Sequence, residues 1–142
     1  RVDRVIICTP DKDLGQVVSG ERIVQLHRRT GVTLDENGVQ QKFGVPPQSI
    51  PDYLALVGDS ADGYPGLKGW GAKSSAAVLA RFGHLEAVPK DYKDWGVKVT
   101  NVSALSATLA REFDNALLFR RLATLRTDLP LFEDVEEMRF QQ

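Results

Sequence analysis

The alternation of hydrophobic and polar residues predicts a short β region at the start of the chain, followed by helices. Two runs rich in β-branched residues, residues 2–9 and 22–26, are typical of strands, and Pro10 would end the first run. In the later part of the chain the apolar residues recur at helical spacing. We predict helices over residues 39–43, 49–58, 72–81, 84–88 and 102–124.

Residues that favour helix ends agree with these boundaries. Gly44 and Gly83 stand where a glycine would end a helix, and Ser49 is the predicted cap of the second helix. For the long helix we predict Ser103 or Ser106 as the cap. Its predicted core residues are Leu105, Leu109, Phe113, Leu117, Leu118 and Leu122.

The two predicted strands are too few to form a stable sheet alone. We therefore expect the first strand to be one edge of a larger sheet. The chain opens directly in that strand without an initial Met, which favours a piece of a longer protein. The helical region is predicted to bury a core of its own with Trp95 as an anchor, and Cys8 is predicted to be a small core residue.

Composition excludes several classes of protein and reveals an uneven distribution of charge. The single cysteine excludes an intramolecular disulfide framework and a multi-cysteine zinc site, and no apolar run approaches the length of a membrane span. The net charge is −1, yet residues 65–127 carry 10 Lys/Arg against 5 Asp/Glu. This basic middle is a modest sign of a polyanionic partner, although solvated helix faces are the simpler explanation.

Four aspartates stand in two short pairs, Asp11 with Asp13 and Asp59 with Asp62. The first pair follows the first strand, and open α/β sheets bind ligands beyond the carboxyl ends of their strands. The second pair lies at the end of a predicted helix, with both carboxylates on one face. If the fold brings the pairs together, oxygen ligands without His or Cys suit Mg²⁺ or Mn²⁺, which could orient a phosphodiester. Aspartates that only cap turns are the alternative.

A glycine-rich hairpin leads into the helix predicted to begin at residue 72. Glycines let the backbone approach a ligand closely, and the unpaired N–H groups of a helix start bind phosphate well. The spacing is typical of a helix-hairpin-helix packed by Leu67 and Trp70, which grips the nucleic-acid backbone without reading bases. A plain αα-corner is the alternative. The predicted DNA-binding residues are Gly66, Lys68, Gly69, Gly71, Lys73 and Ser74.

Four segments, in order, carry a resemblance to a known family. Residues 9–14 resemble a T-x-D-K-D element, and residues 43–47 with 52–62 resemble a GVPP and DYLAL-x-GD-x-SD block. The hairpin follows at the expected distance, and residues 122–128 resemble a closing LAT-x-x-TD. Together these segments resemble the family of bacterial 5′–3′ exonucleases and flap endonucleases, which includes the amino-terminal nuclease domain of DNA polymerase I.

The resemblance implies an α/β parent fold, of which this chain would be a mainly α-helical part. Residues 1–35 would be the carboxy-terminal edge of a Rossmann- or PIN-like parallel sheet. Residues 36–142 would be a helical DNA-binding subdomain, its helix-hairpin-helix expanded into a helix–three-turn–helix. The implied protein is a two-metal phosphodiesterase of DNA replication and repair, cytoplasmic and without a membrane partner, that cuts double-stranded DNA at a 5′ flap, nick or 5′ end.

The resemblance also implies roles for particular residues. Asp11, Asp13, Asp59 and Asp62 would hold the second metal, Mg²⁺ or Mn²⁺, and hairpin carbonyls could hold a K⁺ ion that bridges to a DNA phosphate. The Ser74 hydroxyl could reach the same phosphate.

Some features depart from the family pattern. Gly63, Lys68 and Trp70 replace the family's usual Asn, Pro and smaller residue, and none of the three removes a proposed ligand. The family's first-metal carboxylates and helical arch come from an earlier region that these residues do not include, so the isolated chain is expected to be nearly inactive. A non-catalytic helix-hairpin-helix DNA-binding module is the main alternative, and a PIN-type ribonuclease is a weaker one. His27 and His84 are predicted to be surface or packing residues.

Overall fold

The computed structural model describes residues 2–141 and confirms the mixed α/β class. A small sheet comes first along the chain, and the helices follow it. The strands are β1 (Val5–Cys8), β2 (Ile23–His27) and β3 (Val32–Leu34), and the helices are α1 (Glu36–Phe43), α2 (Ile50–Val57), α3 (Ala72–Phe82), α4 (Val102–Arg111) and α5 (Phe113–Ala123). Short 3-10 turns occupy Lys12–Val17, Pro47–Ser49, Leu85–Ala87, Tyr92–Asp94 and Val135–Met138.

The sheet has the order β1-β2-β3, which leaves β1 at one edge. β1 and β2 run parallel with Val5 opposite Ile23, and β3 returns antiparallel to β2. The prediction that Cys8 is buried is wrong, because its side chain is exposed. Cys8 shares a strand face with Ile6, which is 51% exposed, since alternate residues of a strand point to the same side.

Helix ends follow the capping residues closely. Asp35 caps α1 by accepting a hydrogen bond from the Gly38 N–H at 2.7 Å, so α1 begins earlier than predicted. Gly44 ends α1 in the left-handed region with φ 75°, as predicted. α2 lies between Ser49 and Gly58, also as predicted, although the Ser49 side chain makes no capping hydrogen bond there.

Residues 102–124 form two helices, so the prediction of one long helix is wrong. The chain leaves the helical region at Glu112, with φ −111° and ψ 24°, and α5 then packs along α2. The predicted serine caps of α4 are also wrong, since its N-cap is Asn101 in the left-handed region with φ 57°. Leu118 and Leu122 are 52% and 59% exposed rather than buried.

One apolar core joins the helices, and α2 lies at its centre. Ile50, Leu54 and Leu56 of α2 are almost completely buried, and Leu105 and Leu109 of α4 join them as predicted. α5 buries its two alanines, Ala116 and Ala123, because small side chains let its backbone lie close to α2.

Trp95 is 1% exposed, as predicted, and its indole N–H donates to the Pro89 carbonyl at 2.7 Å. Within residues 2–141, no helix combines the length and the apolar character needed to cross a membrane.

Candidate metal centre and nucleic-acid interface

The loop after β1 is held in place by the side-chain amides of two glutamines. Gln25 of β2 is 3% exposed, and its side-chain amide donates to the carbonyls of Thr9 at 3.0 Å and Asp11 at 2.5 Å. Gln16, in the 3-10 turn that follows, donates to the Ala123 carbonyl at 2.9 Å. These bonds fix the segment that carries the first aspartate pair against both β2 and the end of α5.

The second aspartate pair lies in a tight loop after α2 rather than on the helix itself. Asp59 and Tyr64 exchange both backbone hydrogen bonds, at 2.9 and 3.2 Å, and so form a one-pair antiparallel ladder. The Asp59 carboxylate accepts from the Ala61 N–H at 3.0 Å. The loop therefore holds the Asp59 side chain in a defined direction and presents Asp62 at an exposed position.

Three of the four predicted carboxylates meet. Asp13, Asp59 and Asp62 each offer an oxygen, and these oxygens lie within 4.8 Å of one another. Asp13 and Asp59 are 7% and 3% exposed. Asp11 does not belong to this group, because its carboxylate caps the 3-10 turn by accepting from the Asp13 N–H at 3.1 Å.

The electrostatics of the cluster favour a cation. Burial, the adjacent Asp62 carboxyl and the charge of Asp11 raise the pKa of Asp13 to about 7. Lys12 partly compensates, since its ammonium lies 2.8 Å from an Asp59 oxygen and lowers the pKa of that carboxyl. One buried Asp13 oxygen, Oδ1, has no hydrogen-bond partner among the described residues. An orphaned buried oxygen in an all-oxygen donor set fits Mg²⁺ or Mn²⁺.

The glycine hairpin packs as predicted and lies tightly against α2. Leu67 and Trp70 are 3% and 7% exposed, and the Trp70 indole N–H donates to the Leu105 carbonyl at 3.2 Å. Gly66 has φ 72°, and a Cβ there would lie 2.5 Å from the Leu56 carbonyl oxygen. Gly66 is therefore needed for packing, whereas a Cβ at Gly71 would meet nothing within 4 Å.

A basic cavity of about 580 Å³ opens beside the hairpin. The predicted residues Lys68, Gly69, Gly71, Lys73 and Ser74 line it.

Lys98 lines the same cavity, from the segment before α4, and no motif in the sequence singles it out. The basic character of residues 65–127 was the one signal that included it. The Ser74 hydroxyl is already engaged at the start of α3, where it accepts from the Gly71 N–H at 3.0 Å and donates to the Gly71 carbonyl at 3.1 Å.

Comparison with known proteins identifies the family. Residues 45–142, which include the Asp59–Asp62 loop and the hairpin, match the family described as "5′-3′ exonuclease, C-terminal SAM fold". This chain belongs to that 5′-3′ exonuclease family.

Curated relatives in this exonuclease family are longer proteins. The chain is 35% identical to a DNA polymerase I of Pseudomonas aeruginosa over 142 aligned positions, covering 94% of this chain and 15% of that protein. It is 34% identical to a 5′-3′ exonuclease of Aquifex aeolicus over 144 positions, covering 98% of this chain and 45% of that protein. The chain thus spans less than half the length of either relative.

Solved structures of phage exonucleases share the fold. A bacteriophage T5 flap endonuclease in a complex with DNA and metal ions superimposes with a TM-score of 0.63 at 18% identity, over 85% of this chain and 44% of that one. A bacteriophage T5 5′-exonuclease with bound zinc gives 0.62 at 18% identity, over 82% of this chain and 43% of that one.

A second charged cluster was not predicted from the sequence. Asp52 of α2 is 2% exposed and accepts hydrogen bonds from the Leu85 N–H at 3.1 Å and from Arg120 of α5 at 2.9 Å. The His84 ring nitrogen Nδ1 lies 2.9 Å from the same carboxylate. Arg120 also pairs with Glu86. The His84 side chain is 52% exposed, so His84 is a surface residue that contacts a buried carboxylate, within the expected surface or packing role. The cluster ties α2, α5 and the segment after α3 together.

Proposed function

We propose that this chain is part of a metal-dependent 5′–3′ exonuclease or flap endonuclease that hydrolyses phosphodiester bonds in DNA. The observation that carries the proposal is the meeting of Asp13, Asp59 and Asp62 from two distant segments, one of which leads directly into the basic hairpin. Phosphodiester hydrolysis requires charge to be neutralised at the scissile phosphate, and a carboxylate-held cation does this.

The chain's own residues would prepare both the cation and the DNA. Bound Mg²⁺ or Mn²⁺ would supply Lewis-acid stabilisation of the reacting phosphate oxygens. Asp13 must give up its proton before it can serve as a ligand. Lys12 must release the Asp59 oxygen that it contacts, and it then becomes a free cation at the edge of the site. Lys68, Lys73 and Lys98 would hold the duplex backbone by phosphate contacts that carry no sequence information.

Several finer assignments belong to the same proposal. We place Asp11 beside the second metal site as the residue that shapes the Asp13 turn, and the ligands of the first metal outside these 142 residues. Residues 1–35 would be the sheet edge of the nuclease domain and residues 36–142 the DNA-binding subdomain. The partner would be double-stranded DNA with a 5′ flap, nick or 5′ end, in the bacterial cytoplasm, and carbonyls of the hairpin would suit K⁺.

The test is cleavage of a 5′-flap DNA by the longest natural chain that contains these residues. We expect cleavage only with Mg²⁺ or Mn²⁺, and a large loss of rate under limiting metal for Asp13→Asn and Asp62→Asn. Asp91→Asn, in an exposed 3-10 turn, is the matched control and should retain the wild-type rate. Wild-type rates for Asp13→Asn and Asp62→Asn would contradict the site assignment.

One observation favours a second candidate, a DNA-binding module without catalysis. The Lys12–Asp59 ion pair already neutralises one carboxylate of the cluster without a metal. The two candidates differ in metal binding. A pure binding module would have the same DNA affinity with and without Mn²⁺ and would show no heat of Mn²⁺ binding, whereas the nuclease site must bind Mn²⁺.

A further inference from the structure

The buried hydroxyl of Tyr64 has no role in the site described so far. Tyr64 is 2% exposed, and its hydroxyl has no hydrogen-bond partner among residues 2–141. A buried tyrosine hydroxyl usually finds a partner, since leaving it unpaired costs free energy. The ring is nevertheless held firmly, because it stacks on Phe119 of α5 with ring centroids 5.8 Å apart and planes 18° from parallel.

Backbone pairing directs the Tyr64 side chain towards the carboxylate cluster. Asp59 and Tyr64 are directly opposite each other and exchange both backbone hydrogen bonds. Side chains of such a pair leave the ladder on the same face, with their Cβ atoms about 5 Å apart. The Tyr64 ring therefore leaves the loop beside the Asp59 carboxylate, which is itself one of the three clustered groups.

The cluster contains a matching buried acceptor. Asp13 Oδ1, Gln25 Oε1, Ser49 Oγ and Ser75 Oγ are also buried and unpaired in the described part of the chain, and of these only Asp13 Oδ1 belongs to the carboxylate cluster. A tyrosine hydroxyl carries its proton at neutral pH and can donate a hydrogen bond. An orphaned donor and an orphaned acceptor thus border the same carboxylate group.

We propose that Tyr64 is a positioning residue of the metal centre, whose hydroxyl donates a hydrogen bond to the Asp13 carboxylate when that carboxylate ligates the cation. Hydrogen bonds from O–H donors to carboxylates are short and strong, and donors behind the ligands fix their orientation. Tyr64 does not touch DNA or the cation in this role. The inference rests on the proposed metal site and adds to it a residue that supports a ligand.

The variant that tests this is Tyr64→Phe, which removes the hydroxyl and keeps the ring on Phe119. Calorimetric titration of the 142-residue chain with Mn²⁺ should show about tenfold weaker binding than wild type. Without metal the variant should melt at the wild-type temperature or above it, because the lost hydroxyl had no partner. Tyr92→Phe, at an exposed tyrosine, should bind Mn²⁺ as wild type does.

A spectroscopic readout makes the test specific for the hydroxyl. Mg²⁺ should change the near-ultraviolet circular dichroism of tyrosine in wild type and Tyr92→Phe but not in Tyr64→Phe. Equal Mn²⁺ affinity for wild type and Tyr64→Phe would overturn the inference, as would a metal-free melting temperature that falls, since that would assign the hydroxyl to packing.

The outcomes separate this inference from the proposed function. If wild type binds Mn²⁺, Asp13→Asn does not, and Tyr64→Phe binds as wild type does, the metal site stands and the role of Tyr64 falls. If the wild-type chain binds no Mn²⁺, both are wrong.

Discussion

At the scale of single residues, the clearest signal of function is a carboxylate placed where it is costly. Asp13 is buried beside Asp62 with one oxygen unpaired, an arrangement that packing alone would not favour. Lys12 relieves Asp59, but Asp13 has no positive partner among residues 2–141. A bound cation would remove this cost, so the metal-free chain should carry a measurable penalty that depends on pH.

We predict that the metal-free chain loses stability as pH rises through the titration range of Asp13. The pKa of this carboxyl is raised from 3.8 to about 7, so the folded state holds the proton more tightly than the unfolded state. The loss of stability is absent below the pKa of the unfolded state, 3.8, and complete above the folded-state pKa of about 7. It amounts to a decrease in the free energy of unfolding on the order of 3 kcal/mol. Denaturant melts in chelator on both sides of this range measure it.

The matched variant for this prediction is Asp13→Asn, which cannot ionise. Its melts should depend less on pH than those of wild type, and it should be more stable than wild type at the alkaline end. If the free energy of unfolding of wild type and that of Asp13→Asn change with pH in the same way, Asp13 is not the group responsible.

At the scale of elements, the hairpin shows two uses of glycine that the sequence alone did not separate. Gly66 and Gly71 both belong to the motif, but Gly66 lies against the end of α2 in the left-handed region, while Gly71 has φ −141° and open space around its Cα. The first position serves packing, and the second leaves the start of α3 accessible to a ligand.

Substitution by alanine should separate these two uses. Gly66→Ala should cost about 1–2 kcal/mol for the left-handed backbone alone, and overlap with the α2 backbone adds to this cost. Gly71→Ala, at the N-cap of α3, should cost roughly 0.5–1 kcal/mol and leave the fold intact. If Gly71 borders a DNA phosphate, the second variant lowers DNA affinity at near-normal stability. Melting curves and fluorescence anisotropy of labelled duplex give the two readouts, and a stable Gly66→Ala chain would contradict the packing assignment.

The Asp52 cluster leads to a separate prediction about the helical core. Arg120→Gln should destabilise the chain by on the order of 3 kcal/mol, because the Asp52 carboxylate stays buried with fewer partners. Part of this difference between wild type and Arg120→Gln should disappear in acid, because Arg120 lowers the pKa of Glu86 to about 2. The stability that the Arg120–Glu86 pair contributes is present above pH 4.5 and is lost as the pH falls towards 2. Arg121→Gln, at an exposed neighbour, is the control, and equal melts for the two variants would refute the role of the cluster.

The sequence predicted those helix boundaries that are set by a nearby residue and missed those that are set by packing between distant elements. Gly44 and Gly83 end α1 and α3 where expected, since a glycine cap acts within one turn. The break at Glu112 has no Gly or Pro to mark it, and it exists because α5 turns to pack on α2. The same packing buries Ala116 and leaves Leu118 exposed, which the leucine spacing could not reveal.

At the scale of the whole molecule, the near-zero net charge conceals separate acidic and basic regions. The family resemblance implied that the two aspartate segments share a metal site, but the sequence could not show which carboxylates converge, because Asp11 is diverted to a local cap. It also could not show that Lys98 lies beside the hairpin, since that proximity depends on a long-range contact in which the Trp70 indole N–H donates to the Leu105 carbonyl of α4.

This convergence of lysines predicts how DNA affinity should depend on salt. Each lysine that contacts a phosphate releases counterions, so the logarithm of affinity falls linearly with the logarithm of salt concentration. Lys73→Ala and Lys98→Ala should each weaken duplex binding without regard to sequence and reduce the salt slope by about 1. Lys93→Ala, which does not line the cavity, should keep the wild-type slope. Anisotropy titrations over a series of salt concentrations measure all four slopes. A Lys98→Ala slope equal to wild type would remove Lys98 from the interface and restrict DNA contact to the residues of the hairpin.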